Sequence, residues 1–275
     1  MQFAEDGLCE TGFFPLNQAL QWYDSKWLKC YFDAQDIIRR HAPEKLAAFV
    51  AAMKPLHTDP AFTVKDVPGI FDDAQLDEIK AIIRSIPATG MSLYEVKRFG
   101  RLIVHDHPHF TKLQHGLTAL VSRLAGQEVE PCYNFLSLYS RLGVCEPHLD
   151  APSAKWTLDI CIDQSDPWPI HFSQIVPWPD KPLRIDGDWQ AAIKTSPDLT
   201  FTSKTLMPGN AILFSGSSQW HYRDPLPAAT RKAHCDLLFF HYIPKGTAEI
   251  VAPRNWARLF DVPQIAGIPG IEVVV

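Results

Sequence analysis

The chain has no CxxC pair. Its six cysteines (Cys9, Cys30, Cys132, Cys145, Cys161 and Cys235) are scattered. That argues against a structural zinc site and a disulfide framework, and for reduced thiols in a cytoplasmic protein. A run of lysine or arginine is also missing, and the net charge is −5. Phosphate backbones need clustered cations, so nucleic acid is not an expected partner. No apolar stretch approaches the roughly 18 residues of a membrane span, and the start, "MQFAEDGLCETGFF", is acidic. Neither a membrane segment nor a signal peptide is expected. The 275 residues contain no internal repeat, low-complexity tract or flexible linker. One large domain, or one and a half, is the natural reading, with ample core to be stable.

What is present divides into two parts. The first is helical. "PLNQALQWYDSKWLKCYFDAQDIIRRHAP" and "PEKLAAFVAAMKP" carry helical periodicity between prolines. Residues 1 to 60 are therefore expected to form an N-terminal helical extension to a core of residues 61 to 275. The extension is rich in large apolar side chains: Phe13, Phe14, Trp22, Trp27, Tyr31, Phe32 and Phe49. Such helices must bury them somewhere: over the mouth of the core, in a homodimer contact, or as an extension of the helical layer behind the sheet. "AFTVKDVPGIF" reads as a strand ending in a turn. Asp72 and Asp73 can cap a helix whose apolar face is Leu76, Ile79, Ile82 and Ile83. A further helix is predicted over 110 to 125, with Leu113, Leu117, Leu120, Val121 and Leu124 on one side and Gly126 as its stop.

From about residue 131 the pattern changes. "CYNFLSLYSRL", "WTLDICID", "PIHFSQIV", "LTFTSKTL", "NAILFSG" and "AHCDLLFFHYI" are short extended runs separated by Pro, Gly, Asp and Ser. Short strands following a block of helices suggest an α+β protein, mainly β: a sandwich or barrel with helices on one face. The tail after 252 is punctuated by proline and glycine and is expected to wrap the surface.

"EPHLDAP" contains His148 and Asp150, two apart, so on an extended chain they point the same way. Alone this is weak, because about one His-x-acid match is expected by chance at this composition. Three occur: His57-Thr-Asp59, His148-Leu-Asp150 and His234-Cys-Asp236. Context separates them. His57 lies in a helix-to-strand loop, and His234 is followed only by His241 on the same apparent strand. His148 follows a long strand and has His221 further on, just after "NAILF". Two histidines and a carboxylate from different strands form the facial triad that binds non-haem Fe(II) and leaves open positions. "HDHPH", residues 105 to 109, lies before a helix and reads as a polar loop. Arg231, ten residues after His221, could bind a carboxylate bidentately. Tyr139 and Ser137 share one face of the strand before His148.

The layout Tyr139, Gly143, "EPHLD", "PGNAILF", His221 and Arg231 resembles the Fe(II)/2-oxoglutarate-dependent dioxygenases, most of all their prolyl-4-hydroxylase-like branch, over roughly residues 62 to 244. The resemblance implies a double-stranded β-helix, or jelly-roll, with helices packed on one sheet. It implies His148, Asp150 and His221 as iron ligands, and Arg231 as partner of the distal 2-oxoglutarate carboxylate, with Tyr139 and Ser137 beside the cosubstrate. It implies Fe(II), 2-oxoglutarate and O₂ as cofactors, with succinate and CO₂ released as a small organic substrate is hydroxylated, desaturated or rearranged. Related halogenases carry a small residue where Asp150 stands, so chlorination is not expected. Arg141, Trp156, Trp220 and Arg223 are candidate substrate contacts, and the arginines favour an anionic amino acid or natural-product intermediate. The alternatives are a cupin-like metalloprotein that does not use 2-oxoglutarate and a barrel that only binds.

Overall fold

A computed structural model describes residues 25 to 179, 188 to 227 and 230 to 274. Phe13, Phe14, Trp22 and Cys9 lie outside the described residues. Two helices come first, α1 (Ser25–His41) and α2 (Leu46–Met53). Strand β1 (Lys65–Val67) precedes α3 (Asp73–Ser85), which starts with a capping box in which Asp72 and Gln75 satisfy each other's backbone N–H. The short α4 (Val96–Phe99) and β2 (Arg101–His105) follow. The helix predicted over 110 to 125 is two helices, α5 (Pro108–Gly116) and α6 (Thr118–Ala125). Gly116 weakens the junction, and the Thr118 hydroxyl donates to the carbonyl of His115 at 2.9 Å. Gly126 stops α6 in the left-handed region at φ +69°.

The remaining strands are β3 (Val129–Tyr139), β4 (Cys145–His148), β5 (Trp156–Gln164), β6 (Ile170–Phe172), β7 (Thr202–Lys204), β8 (Ala211–Phe214), β9 (His221–Arg223) and β10 (Cys235–Pro244). They form two antiparallel sheets, ordered β1-β8-β5-β10-β3-β2 and β4-β9-β6-β7. Helices α7 (Trp189–Lys194) and α8 (Trp256–Leu259) complete the chain.

Side chains alternate across the large sheet with period two. Leu136, Leu158, Ile160, Leu238, Phe240 and Tyr242 point to one face and pack with Leu76, Ile79, Phe110 and Val121 of α3, α5 and α6. Tyr139, Cys161, Leu237 and Phe239 point to the other face and meet Ile170 and Phe172 of the small sheet. The sheets thus face each other, with helices on the outer side of the larger one.

The described N-terminal helices pack against the rest of the chain. Trp27, Leu28, Tyr31, Ile38 and Phe49 are buried within the chain, together with Trp178, Trp220, Leu149 and the tail residues Trp256, Val262, Ile265 and Ile271. The tail therefore does not lie loosely on the surface, since its apolar residues fill this cluster. Trp27 sits at its centre, edge-on to both Trp178 and Trp256 at 5.3 Å, and its Nε1 donates to the carbonyl of Val251 at 2.8 Å. Truncating a buried tryptophan costs about 3–5 kcal/mol. Trp27→Ala should lower the urea-unfolding free energy by that amount. A loss under about 1 kcal/mol would mean that the helices are not integral to the fold.

Candidate metal centre

Strands β4 and β9 pair antiparallel, with His148 opposite His221. Residues 73 positions apart are thereby neighbours, with ring centroids 4.1 Å apart. Each Nδ1 lies beside a carbonyl two residues back: His148 at 2.7 Å from Glu146, His221 at 2.9 Å from Gln219. Carbonyl oxygens only accept, so both Nδ1 atoms carry a hydrogen, and Nε2 is the atom of each ring that can offer a lone pair to a cation once it is unprotonated. Those two nitrogens face Asp150, at 3.5 Å from Oδ1 and 3.7 Å from Oδ2. The three ligand atoms lie within 4.8 Å of one another, the one such group of His, Cys, Asp or Glu among the described residues. A donor set of two imidazoles, fixed in tautomer, and a carboxylate fits Fe(II) with open positions.

Asp150 is held by the loop after β8. Its N–H donates to the carbonyl of Gly216 at 2.9 Å. A Cβ on Gly216 would stand 2.3 Å from Asp150 Oδ2, 2.6 Å from the carbonyl of Ala154 and 2.9 Å from Thr157 Oγ1. Only glycine fits here. The buried polar run "SGSSQ" also has a role. Gln219 accepts from the Ser215 N–H at 3.0 Å and donates to the carbonyl of Ser173 at 2.9 Å, clamping the approach to His221.

Without a cation the cluster holds a proton. Burial opposes charging His148, yet Cys145 and Asp150 push it up to about 10. Burial lowers His221 to about 3, with His148 adding to the effect. Burial would raise Asp150, but His221 and His148 hold it well below the usual carboxylate range. A divalent cation must displace the His148 proton.

The triad lines a cavity of about 400 Å³ that also contains Arg101, Tyr139 and Arg223. Arg101 Nη1 donates to Tyr139 Oη at 2.6 Å and to Ser137 Oγ at 3.2 Å, and its Nε donates to Glu95 at 2.5 Å. Burial, opposed by Arg101, pushes the Tyr139 phenol well above its ordinary value. Its proton therefore stays on and is available to an acceptor in the cavity. Arg223 is 2% exposed and donates to Asp159 at 2.7 Å and to the carbonyl of Trp168 at 2.5 Å.

The sequence-predicted residues divide sharply. His148, Asp150, His221, Tyr139 and Arg223 line the cavity, and Ser137 touches it through Arg101. Arg231 does not. It is exposed in the turn before β10, and the inward positions that follow it are Cys235 and Leu237. The expectation for Arg231 is corrected in this respect: strand β10 begins four residues later than the spacing suggested. Arg141 is exposed, Trp156 packs on the helical side, and Trp220 sits in the N-terminal cluster, so none of the three borders the cavity. Arg101 and Gly216 were missed. Arg101 belongs to "RLIVH", a strand of only five residues that follows Gly100, the left-handed stop of α4. "HDHPH" is partly misread, because His105 ends β2 and lines the cavity.

No family model matches the chain, and no curated protein matches it. Solved structures do match. The non-haem α-ketoglutarate-dependent carbocyclase SnoK from nogalamycin biosynthesis superposes with a TM-score of 0.52 at 9% identity, covering 68% of this chain and 85% of its own. The non-haem α-ketoglutarate-dependent epimerase SnoN, from the same biosynthesis, superposes with a TM-score of 0.50 at 17% identity, covering 75% and 89%. AviO1 from Streptomyces viridochromogenes Tue57 gives 0.50 at 15% identity, covering 72% and 95%. The chain therefore shares the fold of 2-oxoglutarate-dependent enzymes. None of its described helices is long and apolar enough to cross a membrane.

Two outcomes test the centre. Metal titration followed by calorimetry in buffers of different ionisation enthalpy should show about one proton released per divalent cation at neutral pH. Buffer-independent heats would contradict the protonated His148. Gly216→Ala should weaken Fe(II) binding at least tenfold while far-UV circular dichroism stays that of the wild type. Unchanged metal affinity would show that Asp150 is not placed by that contact.

Proposed function

We propose that the chain is a non-haem Fe(II)/2-oxoglutarate-dependent oxygenase acting on a small organic molecule. One observation carries the reading: a His-Asp-His cluster with both Nε2 atoms turned toward Asp150 shares a single cavity with an arginine–tyrosine pair. His148, Asp150 and His221 would hold the metal on one face. With 2-oxoglutarate and O₂, the metal supplies oxidative decarboxylation to succinate and CO₂, coupled to oxidation of a substrate C–H bond. The chain's own residues orient the reactants. Arg101 and the Tyr139 hydroxyl present donors to the distal carboxylate, and Arg223 adds positive charge while staying tied to Asp159. Much of the cavity wall is apolar, which lowers the dielectric around the reactants.

We infer further that the two sheets are the halves of a double-stranded β-helix, which their strand orders support. The prolyl-4-hydroxylase-like layout gains no support from Arg231, which lies outside the cavity. An acid at position 150 favours hydroxylation, desaturation or rearrangement. The five described cysteines are all free thiols, which supports a reducing, cytoplasmic setting.

Anaerobic addition of Fe(II) and 2-oxoglutarate should give the weak visible charge-transfer band of the chelate, and His221→Ala should abolish it. Absence of the band in the wild-type protein would overturn the reading. Arg101→Ala should raise the KM for 2-oxoglutarate by about 2–5 kcal/mol, more than tenfold. Arg231→Ala should leave that KM unchanged. The reverse pattern would return the anchor to Arg231.

A further inference from the structure

Beyond the triad, the cavity wall is aromatic and ordered. Tyr133 and Phe135 of β3 and Phe239 and His241 of β10 alternate inward on adjacent strands, in register Phe239 opposite Phe135 and His241 opposite Tyr133. Their rings are nearly parallel. Tyr133 and His241 stack at 4.2 Å and 26°, Phe135 and Phe239 at 4.9 Å and 27°, and Phe239 and His241 lie within 3° of parallel. Such a block accepts one more flat ring as a continuation of the stack, whereas a puckered saturated ring meets it at few points.

Within this block stands a polar group that the proposed chemistry does not use. His241 lines the cavity and is 3% exposed. Its Nδ1 is engaged by the Thr157 hydroxyl at 3.0 Å, while its Nε2 is buried with no hydrogen-bond partner. Buried polar atoms are almost always paired, so an orphan in a cavity calls for a ligand atom. Burial also lowers the imidazole to about 4, so it is a neutral hydrogen-bonding group at physiological pH. The apolar surface continues outside: Leu93 and Tyr94 are 69% and 66% exposed on the segment whose Tyr94 and Glu95 line the cavity.

We propose that this part of the cavity binds the primary substrate, and that the substrate is a flat aromatic molecule whose hydroxyl or amine hydrogen-bonds to Nε2 of His241. The proposal rests on the oxygenase reading for the site but names what that site selects. It places the specificity-determining contact on β10, and not on Arg141, Trp156 or Trp220.

The test uses 2-naphthol as a fluorescent probe of the full-length protein loaded with Fe(II) and 2-oxoglutarate under anaerobic conditions. The charge-transfer band is recorded first, so that failure of the oxygenase reading is seen separately. 2-Naphthol should bind saturably. Naphthalene, which lacks the hydroxyl, should bind at least tenfold more weakly, and 2-decalol, which keeps the hydroxyl but is not flat, should not compete. His241→Phe should lower 2-naphthol affinity to that of naphthalene, with the 2-oxoglutarate band unchanged. Equal competition by 2-decalol, or equal affinity for naphthalene and 2-naphthol in the wild-type protein, would overturn the proposal. Both can be read even if the variant fails to fold.

Discussion

The pairing of β4 with β9 is the contact on which the site depends. It sets His148 opposite His221 and turns each Nδ1 onto its own chain's carbonyl. Both imidazoles then turn Nε2 to the same point, where Asp150 supplies the carboxylate. The pair of strands is short, and only two register partners are formed across an irregularity between Cys145 and His148. So short a ladder cannot hold itself. It is held by what lies around it: the hydrogen-bonded loop from Ser215 to Gln219, and the contact of Gly216 with Asp150.

Charge is distributed in the cavity with the same economy. Two arginines enter an apolar interior, and each brings its own counter-ion: Glu95 for Arg101, Asp159 for Arg223. A buried guanidinium without an acid would be costly to desolvate. With one, it keeps a positive potential and still has donors turned to Tyr139 and Ser137. The two cations and the candidate metal triad thus line one cavity.

The described helices at the N-terminus and the segment at the C-terminus form a second body of packing, distinct from the cluster around α3, α5 and α6. Trp27, Trp178 and Trp256 interlock edge to face there, and Leu149, between the two candidate ligands His148 and Asp150, is part of the same cluster. Packing of the N-terminal helices is therefore linked mechanically to the ligand loop, although no residue of α1 or α2 lines the cavity.

The sequence by itself determined the candidate metal ligands and the sheet-rich α+β class of fold. A His-x-Asp after a long strand and a histidine after "NAILF" are local patterns, and strand periodicity is legible wherever a strand exceeds about five residues. It also determined Tyr139 and Ser137 as inward positions. It could not determine which arginine meets them. Arg231 has the right spacing along the chain, but spacing does not say where a turn ends and a strand begins, and the turn leaves it exposed. Arg101 reaches the cavity because β2 adds to β3 in a register that sets Arg101 opposite Tyr139. Gly216 is likewise invisible in sequence: its need for no side chain arises from Asp150, Ala154 and Thr157 converging on it. His148 and Asp150 follow from local chain direction, and His221 joins them through the pairing of β4 with β9. Their neighbours follow from strand pairing between distant segments, which only the tertiary structure decides.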